Sequence, residues 1–281
     1  MKIKTLNTWE EYKSLIADHS LLDWIFRGQS NADWEIRSSL DRSRIIENYD
    51  DGEERMLFEF QRASKYYLKD NEIPETLIDW FALLQHYGTP TRLIDFTKSP
   101  YVAAYFAFEW ENNESDYVAI WIANKIGFYQ RSLNYLSAKG FKKFDTKYYA
   151  FRDKTFKEIF DLSRTGEYDC IMPLESHLMN ERYYLQQSIF LSPSNPYKAF
   201  NEQLGFLHET LNNALIKIKI PKTERKKALR DLAKMNITRA SLFPGLEGFA
   251  KSLHIHFSTL SNIEEMGKNI QILNDNDIIK I

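Results

Sequence analysis

The sequence predicts an α+β protein in which short strands form a split sheet and helices pack on it. Several segments alternate between apolar and polar residues as strands do, most cleanly at Leu215–Ile220. Other segments carry apolar residues at helical spacing, as Leu77, Trp80, Phe81 and Leu84 do. No internal repeat, low-complexity tract or linker divides the 281 residues. We therefore expect the helices and strands to share one domain over 1–281.

The N-terminal part is predicted to contain a helix and two strands joined by a turn. Thr8 and Glu11 fit a capping box, so a helix is expected to begin there. Leu22–Arg27 is typical of a short strand, which the turn residues Gly28–Asn31 should end. Trp34–Arg37 is expected to return as a second strand.

Two helices are predicted between Glu53 and Gly88. The first begins at about Glu53. Its expected apolar face consists of Met56, Phe60, Ala63 and Tyr67. The second begins at Pro74 and stops at Gly88, because proline suits a first helical position and glycine suits a helix end.

A polar loop and a buried helix are predicted next. Thr91–Phe96 can run extended, and Ser99 is a good N-cap for a helix over Tyr101–Trp110. That helix is apolar almost all round, so it should be buried. Ala103 and Ala107 leave room for another backbone to approach closely.

The rest of the chain is predicted to supply further strands and two helices. The expected strands are Tyr117–Ala123, Cys170–Met172, Ser188–Leu191 and Leu215–Ile220. A charged helix should run from Thr223 to about Met235, and a further helix should begin near Pro244. Residues 127–168 show no clear period, and no element is assigned to them.

Composition argues against several classes of protein. With 43% hydrophobic and 15% aromatic residues, the chain can build a sizeable core, and disorder is not expected. The formal charge of −2 gives no global attraction to nucleic acid or to anionic membranes. Cys170 is the single cysteine, which excludes an intramolecular disulfide. No segment is apolar enough to span a bilayer, so we expect a cytoplasmic protein without a membrane partner. A bound metal is not expected either.

Three polar segments are candidates for chemistry. Phe26–Gln29 places an arginine at a strand end, where it either binds a ligand or pairs with a carboxylate. Gln85–Thr97 concentrates His, Arg, Asp and Thr around a turn, which a merely connecting loop does not need. Within it, Arg92 and Asp95 form either an ion pair or part of a site. Glu181–Phe190 carries two consecutive glutamines, either in a solvated loop or in a site.

These segments, in this order, resemble the FRG domain family. The resemblance is carried by Phe26–Gln29, Gln85–Thr97, Ser99–Pro100, Ala103–Ala107, Arg182, Gln186–Phe190 and Leu242–Ala250. It implies a single FRG-type domain over 1–281, with a core over about 22–253 and short terminal extensions. Ser188 stands where the family usually has glycine, and Gly245 stands where an aspartate is usual.

The order of these segments is also similar, at the level of fold, to the ADP-ribosyltransferase superfamily. This weaker resemblance implies an ADP-ribosyltransferase-like fold that binds NAD, as a substrate, in a cleft between two small sheets. Breaking the nicotinamide–ribose bond passes through an oxocarbenium-like state, which needs acceptor groups near the ribose. The pyrophosphate needs cationic donors, and the nicotinamide needs aromatic surface.

The resemblance assigns roles to particular residues. The groups expected to take part in catalysis are Arg27, His86, Thr91, Asp95, Gln186 and Gln187. The groups expected to bind NAD are Arg27, Gly28, Gln29, Tyr87, Arg92, Tyr105 and Arg182. The superfamily usually has a glutamate where the late strand begins, and this sequence has Gln186-Gln187 there. Either Asp95 takes the electrostatic role, or catalysis is weak, or the analogy with the superfamily does not hold.

The expected function is that of an NAD-dependent ADP-ribosyltransferase-like enzyme of a toxin or phage-defence system. Its acceptor would be a nucleic acid or a protein, and a cognate antitoxin is a candidate partner. The alternative is a non-catalytic module that binds a nucleotide or nucleic acid through arginines on phosphates and aromatic rings on bases. A nuclease is a third class, but the sequence shows no carboxylate cluster for metal ions.

Overall fold

The protein is built on a mixed sheet of seven strands. The computed structural model describes residues 1–17, 23–140, 157, 168–178, 180–255 and 257. The strands are β1 Lys2–Thr5, β2 Trp24–Gln29, β3 Ile94–Thr97, β4 Tyr117–Asn124, β5 Ile171–Leu174, β6 Ser188–Pro193 and β7 Leu215–Pro221. Their order is β1-β7-β4-β2-β3-β6-β5. β1 and β7 run parallel, and all other neighbouring strands run antiparallel. With the helices below, this sheet confirms the predicted α+β class.

The sheet has two parts that meet at a narrow junction. β2 pairs with β4 along its whole length, but it pairs with β3 through Phe26 and Thr97 alone. The sequence predicts a split sheet, but the structure has one continuous sheet. Within it, β2 and β3 are paired at a single position and separate beyond it. This separation exposes side chains of both strands to a shared space.

Helices surround the sheet and link its strands. The α-helices are α1 Trp9–Ala17, α2 Ser39–Ser43, α3 Ile45–Asn48, α4 Gly52–Ser64, α5 Leu77–His86, α6 Pro100–Phe108, α7 Lys125–Ala138, α8 Glu181–Leu185, α9 Leu211–Ala214, α10 Arg225–Lys234, α11 Arg239–Leu242 and α12 Leu246–Ile255. Short 3-10 helices span Asp70–Glu72, Phe200–Thr210 and Lys222–Glu224. Side chains cap the start of α5 and α6, where Thr76 accepts from the Asp79 N–H and Ser99 accepts from the Val102 N–H.

Two apolar clusters cover opposite faces of the sheet. Along β4, Trp121 and Ala123 belong to one cluster, whereas Ile120 and Ile122 belong to the other, as the two-residue period of a strand requires. Helices α5 and α7 cover the first face, and α1, α6 and α10 cover the second. The polar loop of residues 88–93 lies between α5 and β3 at the edge of the first cluster.

Gly28 brings β2 into direct contact with the backbone of α6. A Cβ atom on Gly28 would lie 2.0 Å from the Ala103 carbonyl oxygen and 2.5 Å from the Ala107 nitrogen. The close approach predicted from the two alanines is therefore present. Its partner is the strand that carries Arg27, so this contact also fixes the height of the arginine above α6.

The substitution Gly28→Ala is expected to lower the free energy of unfolding by about 1–3 kcal/mol, because the new methyl group meets backbone atoms that cannot rotate away. Urea unfolding followed by tryptophan fluorescence would measure the change. Gly205→Ala is the matched control, since a Cβ atom there meets nothing within 4 Å. Equal midpoints for the two variants would contradict this account of the contact.

Two local predictions near β2 are wrong. Gly28 and Gln29 continue the strand opposite Ile120 and Ala119 instead of forming a turn. No strand forms at residues 34–37, where the Gln29 amide donates to the Glu35 carbonyl at 3.1 Å. A side chain thus takes a carbonyl that a strand would use, and the segment runs on into α2.

The predicted apolar face of α4 is correct only in part, because Phe60 packs against the first apolar cluster and other members of the face do not. Glu53 and Leu57 are buried, whereas Ala63 is exposed and Tyr67, just beyond the helix, is 85% exposed. The reason is electrostatic, because Glu53 faces the buried guanidinium of Arg92. This pairing rotates the helix away from the orientation that apolar spacing alone favours.

Helix α7 lies in the region to which the sequence assigned no element. Its Asn124 cap accepts from the Gly127 N–H. Residues 141–156 and 158–167 of that region lie outside the described residues. Within the described ranges, no helix combines the length and apolarity needed to cross a bilayer.

Candidate functional site

Two polar cavities adjoin at the place where β2 and β3 separate. The central cavity has a volume of about 280 Å³, and its main polar side chains are those of Arg27, Asp95, Glu109, Arg182 and Gln186. The arginine cavity has a volume of about 160 Å³, and its main polar side chains are those of Arg27, Arg37, Ser39, Arg42, Gln85 and Asp95. Because Arg27 and Asp95 line both, the two cavities form one larger site. Small-molecule sites usually have about 300–1,000 Å³, a range that the pair reaches together.

Arg27 and Asp95 together form the wall between the two cavities. Its Nη1 group donates to the Asp95 backbone carbonyl at 2.7 Å, across the gap where β2 and β3 no longer pair. Its Nε atom is buried and has no hydrogen-bond partner in the described part of the chain. Burial lowers the pKa of Arg27, while the neighbouring Asp95 acts in the opposite direction. An unsatisfied buried donor is costly, and a bound acceptor would relieve that cost.

A hydrogen-bond relay holds the Asp95 carboxylate in place. The Thr91 hydroxyl donates to the Gln85 side-chain carbonyl, and the Gln85 amide donates to Asp95 Oδ1 at 2.7 Å. Thr91 is fully buried, and it lines neither cavity. The structure therefore gives Thr91 a positioning contact, not the direct contact with substrate that a catalytic group needs.

Arg182 lies on the opposite wall of the central cavity. Its guanidinium lies over the Phe243 ring, 4.7 Å from the ring centroid. The side chain makes no hydrogen bond or ion pair with any described residue, and its Nε atom is buried. Arg182 is therefore held by stacking alone and keeps its charged donors for a ligand.

Glu109 brings a second carboxylate into the central cavity. It is 3% exposed, forms an ion pair with Arg239 and accepts from the Tyr105 hydroxyl at 3.3 Å. Burial raises the pKa of Glu109 above the usual value for glutamate, although the Arg239 guanidinium acts in the opposite direction. The rings of Phe106 and Trp110 line the cavity beside it. A buried carboxylate, cations and aromatic surface thus share one space.

The two glutamines lie at the end of α8. The Gln186 side chain lines the central cavity, but its amide donates to the Leu242 carbonyl at 3.0 Å. Gln187 has a φ of 49° and is exposed, and its backbone carbonyl accepts from the Lys98 N–H at 3.0 Å. Gln187 is absent from the linings of both cavities. The two adjacent glutamines, which we expected to act together, therefore differ in position: Gln186 lines the central cavity and Gln187 does not.

Arg92 is not part of either cavity, which corrects its expected role in binding NAD. It is 1% exposed, and its Nε atom donates to Glu53 at 2.8 Å. Its Nη1 group donates to the Ser194 carbonyl at 2.9 Å. The ion pair foreseen between Arg92 and Asp95 is also absent, because the partner of Arg92 is Glu53. Arg92 is a structural arginine.

Gln29 and Tyr105 also lie outside the cavities and fill structural positions. Gln29 is buried, accepts from the Trp121 indole and donates to the Glu35 carbonyl. Tyr105 is 2% exposed and packs under Glu109, and burial raises its pKa well above the usual value. Neither side chain lines the central cavity, which corrects their expected role in binding NAD.

His86 and Tyr87 lie beside the arginine cavity and not in it. The His86 Nδ1 atom is 3.4 Å from the Asn180 amide nitrogen, and burial, followed by the nearby Arg182, lowers the pKa of His86. Tyr87 is 64% exposed and precedes Gly88, a lining residue of the arginine cavity. Their expected roles stay predictions, with no direct contact to the central cavity.

The structure adds residues that the sequence did not single out. Arg37 and Arg42 line the arginine cavity, and Glu109 and Trp110 line the central cavity. The sequence contains a signal for Glu109, because a glutamate directly after an otherwise apolar helix must find a partner if it is buried. Arg37 and Arg42 flank two serines after β2, a polar density comparable to that of Gln85–Thr97.

Two apolar cavities occur elsewhere in the described residues, with volumes of about 290 and 340 Å³. The first lies between α6, α10 and α12, and the second lies between α1 and the sheet. Neither contains a carboxylate, so we place the candidate site at the polar pair. Among the described residues, no three His, Cys, Asp or Glu side chains are grouped to hold a metal ion.

Fold and site together define an α+β protein with a charged, aromatic-lined double cavity at a strand junction. Residues 22–116 match the model of the FRG domain family, which supports the resemblance that the motifs indicated. The matched range includes Arg27, Asp95 and Glu109. It also includes Arg37 and Arg42, the two arginines that line the arginine cavity alone. Arg182 and Gln186 lie beyond it, and the extent of the domain over 1–281 stays a prediction. Comparisons with curated proteins and with solved structures gave no match.

Proposed function

We propose that the chain is an NAD-dependent ADP-ribosyltransferase-like enzyme of a toxin or phage-defence system, and that NAD binds in the central cavity. One observation carries the proposal: two guanidinium groups with unused donors, Arg27 and Arg182, share this cavity with the carboxylates of Asp95 and Glu109. This combination fits the charges of NAD. Its pyrophosphate needs cationic donors, and its reacting ribose needs negative charge nearby.

The proposed reaction breaks the bond between the nicotinamide nitrogen and the ribose carbon. The electron pair of that bond leaves with nicotinamide, which departs as a neutral molecule, while positive charge develops on the ribose. A nucleophile of the acceptor then forms a bond to the same carbon and releases its proton to solvent or to a nearby base. With water as the nucleophile, the product is ADP-ribose.

Each group in the cavity has a role in this scheme. Arg27 and Arg182 bind the pyrophosphate, and the rings of Phe106 and Trp110 flank the nicotinamide. Glu109 supplies negative charge to the developing ribosyl cation from a buried position, where a charge acts more strongly than in water. Asp95, fixed by Gln85, supplies a second carboxylate at the entrance from the arginine cavity.

The partners and location follow from the same proposal. NAD is the substrate, and the acceptor is a macromolecule, nucleic acid or protein. A cognate antitoxin and a cytoplasmic location complete the proposed setting. These expectations come from the resemblance of the ordered motifs.

The variant Arg182→Ala is expected to lower the rate of NAD consumption at subsaturating NAD by roughly tenfold to hundredfold, because it removes a charge-assisted hydrogen bond to a phosphate. The assay incubates purified protein with NAD labelled in its adenylate part, together with separate pools of DNA, RNA and cell protein. Label in one pool identifies the acceptor class, and nicotinamide release without label transfer indicates an NAD hydrolase.

Two further variants sharpen this assay. Arg27→Ala removes the other cation, and Arg62→Ala is the control, because Arg62 is exposed on α4 and pairs only with Glu59, at 3.4 Å, among the contacts described. The Arg182 side chain makes no hydrogen bond with any described residue, so its replacement should leave the fold intact. Unchanged NAD with every pool would refute the proposed enzyme.

A second candidate function is a module that binds a nucleotide or nucleic acid without turnover. It is favoured by the absence of a glutamate at the start of β6 and by the occupied amide of Gln186. The same arginines would then bind phosphates, and steep salt dependence of binding with unchanged NAD would distinguish this function from an enzyme.

A further inference from the structure

The arginine cavity carries positive charge that the reaction proposed for the central cavity does not use. Arg27, Arg37 and Arg42 line it, and Asp95 is the one carboxylate among its lining residues. The lining therefore has an excess of positive charge, although the whole chain has a formal charge of −2. A local excess of this kind, in a cavity that opens to the surface, attracts an anionic ligand.

In the described part of the chain, neither Arg37 nor Arg42, the two outer arginines of the cavity, has a close ion-pair partner. The Arg37 guanidinium lies 3.6 Å from Glu35 and 3.9 Å from Asp41, at the long limit for an ion pair, and its side chain is about half exposed. Arg42 is also exposed, and its Nη1 group donates to the Arg37 carbonyl at 2.7 Å. This bond orients the Arg42 guanidinium without neutralising it. Both cations remain accessible to a ligand.

The floor of the cavity is fixed by internal hydrogen bonds. The Ser39 hydroxyl donates to the Thr91 carbonyl at 3.1 Å and accepts from the Thr91 N–H at 2.9 Å. Thr91 in turn binds Gln85, which binds Asp95. A rigid polar floor beneath accessible guanidinium groups presents a preformed surface to an anion, so binding requires little additional ordering.

An exposed aromatic ring stands at the rim. Tyr87 is 64% exposed and is supported from behind by His86, with 5.1 Å between ring centroids. The next two residues, Gly88 and Thr89, line the cavity. A phosphate-binding group of arginines beside an exposed aromatic ring is the combination that binds single-stranded nucleic acid, where phosphates pair with cations and bases stack on rings.

We propose that the arginine cavity binds a backbone phosphate of single-stranded nucleic acid, and that this nucleic acid is the acceptor of the ADP-ribosyl group. The assignment of an acceptor rests on the proposed function, whereas the binding site does not. The two cavities share Arg27 and Asp95, so a strand held by Arg37 and Arg42 lies next to the reacting centre. A phosphate in this cavity has two sources, the acceptor backbone and the pyrophosphate of NAD, and the experiment separates them.

The test compares two double variants that remove equal charge. Arg37→Ala with Arg42→Ala removes the outer cations of the cavity, and Arg55→Ala with Arg62→Ala removes two exposed cations of α4. The probes are a fluorescein-labelled oligothymidylate of roughly 12 nucleotides and, separately, ADP-ribose. The first pair is expected to weaken oligothymidylate binding by roughly tenfold or more and to reduce the salt slope by roughly 0.7 for each phosphate that the protein no longer neutralises. The control pair should bind like wild type, and ADP-ribose affinity should be unchanged in both.

The outcomes separate this inference from the proposed function. Equal weakening by both double variants, or no binding of oligothymidylate by wild type, would overturn the nucleic-acid site. A parallel loss of ADP-ribose affinity would assign the cavity to the NAD pyrophosphate and overturn it as well. If binding depends on Arg37 and Arg42 but NAD is never consumed, the site stands and the enzyme fails. Label transferred to protein at a rate that the cavity variants do not alter would overturn the nucleic-acid acceptor. Thermal melts establish that each variant is folded, and the single variants Arg37→Ala and Arg42→Ala provide a second measurement.

Discussion

Replacement of Glu53 by alanine is expected to lower the free energy of unfolding by about 3–5 kcal/mol, because it leaves the guanidinium of Arg92 buried without its counter-charge. The Arg92 and Glu53 side chains are 1% and 3% exposed. Glu53 accepts from the Arg92 side-chain Nε at 2.8 Å and from its backbone N–H at 3.2 Å. Since Arg92 also donates to the Ser194 carbonyl, the pair connects α4 to the polar loop and to the end of β6.

Urea unfolding, followed by circular dichroism, measures this destabilisation. Glu54→Ala is the matched control, because Glu54 is the next residue of the same helix and is exposed. A second variant removes both charges, Glu53→Leu with Arg92→Met, and should recover most of the stability if the unpaired charge is the cause. Similar destabilisation by Glu53→Ala and Glu54→Ala would show that the ion pair contributes little.

The same pair shows why sequence alone could not separate the two arginines of the motifs. Arg27 and Arg92 both stand in dense polar segments, and both were expected to bind NAD. What distinguishes them is a partner 39 residues before Arg92, because Glu53 neutralises Arg92 within the core. No local pattern contains that information. Among the described residues, Arg27 instead donates through its Nη1 group to a backbone carbonyl and forms no ion pair with a carboxylate.

Elements with strong local signals were predicted closely. The alternation at Leu215–Ile220 became β7, and the apolar helix after Ser99 became α6, with the predicted cap in place. The strand expected at Trp34–Arg37 does not form, because the alternation of apolar and polar residues there reflects tertiary contacts and not strand pairing. Ile36 is buried in the core, while the Gln29 side chain binds the neighbouring Glu35 carbonyl. Tertiary contacts decided the outcome where the local signal was short.

The site shows the same division between local and distant information. Arg27, Asp95, Arg182 and Gln186 belong to the ordered motifs, and the structure brings all four into the central cavity. Glu109 was not predicted, because its importance depends on burial against Arg239, 130 residues later in the chain. The sequence therefore located the motif residues of the cavity but not the buried carboxylate of Glu109.

Glu109→Gln is expected to lower the maximal rate of NAD consumption by roughly 10²–10³-fold, because the amide keeps the shape of the side chain but removes its charge from the developing ribosyl cation. The measurement is nicotinamide release at saturating NAD. ADP-ribose binding should remain within a few-fold of wild type, since the variant leaves Arg27 and Arg182, the residues proposed to bind the pyrophosphate, unchanged. An effect confined to the rate would identify a group that acts in the reaction and not in ground-state binding.

Two controls separate catalysis from stability. Glu109 pairs with the partly buried Arg239, so its replacement also costs folding energy, and melting curves must show that the variant is folded at the assay temperature. Glu111→Gln removes a neighbouring carboxylate whose side chain is 72% exposed and pairs with Arg225, and it should leave the rate unchanged. Asp95→Asn tests the carboxylate favoured by the sequence. If Asp95→Asn abolishes the rate and Glu109→Gln does not, the role belongs to Asp95.

The pH profile gives an independent check on Glu109. The proposed role requires the ionised carboxylate, and burial raises the pKa of Glu109 above the ordinary value of 4.5. As pH falls, the wild-type rate should therefore decline at a higher pH than an ordinary glutamate would produce. The residual rate of Glu109→Gln should be flat across the same interval, because its amide does not titrate. An unchanged acid limb in the variant would assign that limb to another group and would remove the electrostatic argument for Glu109.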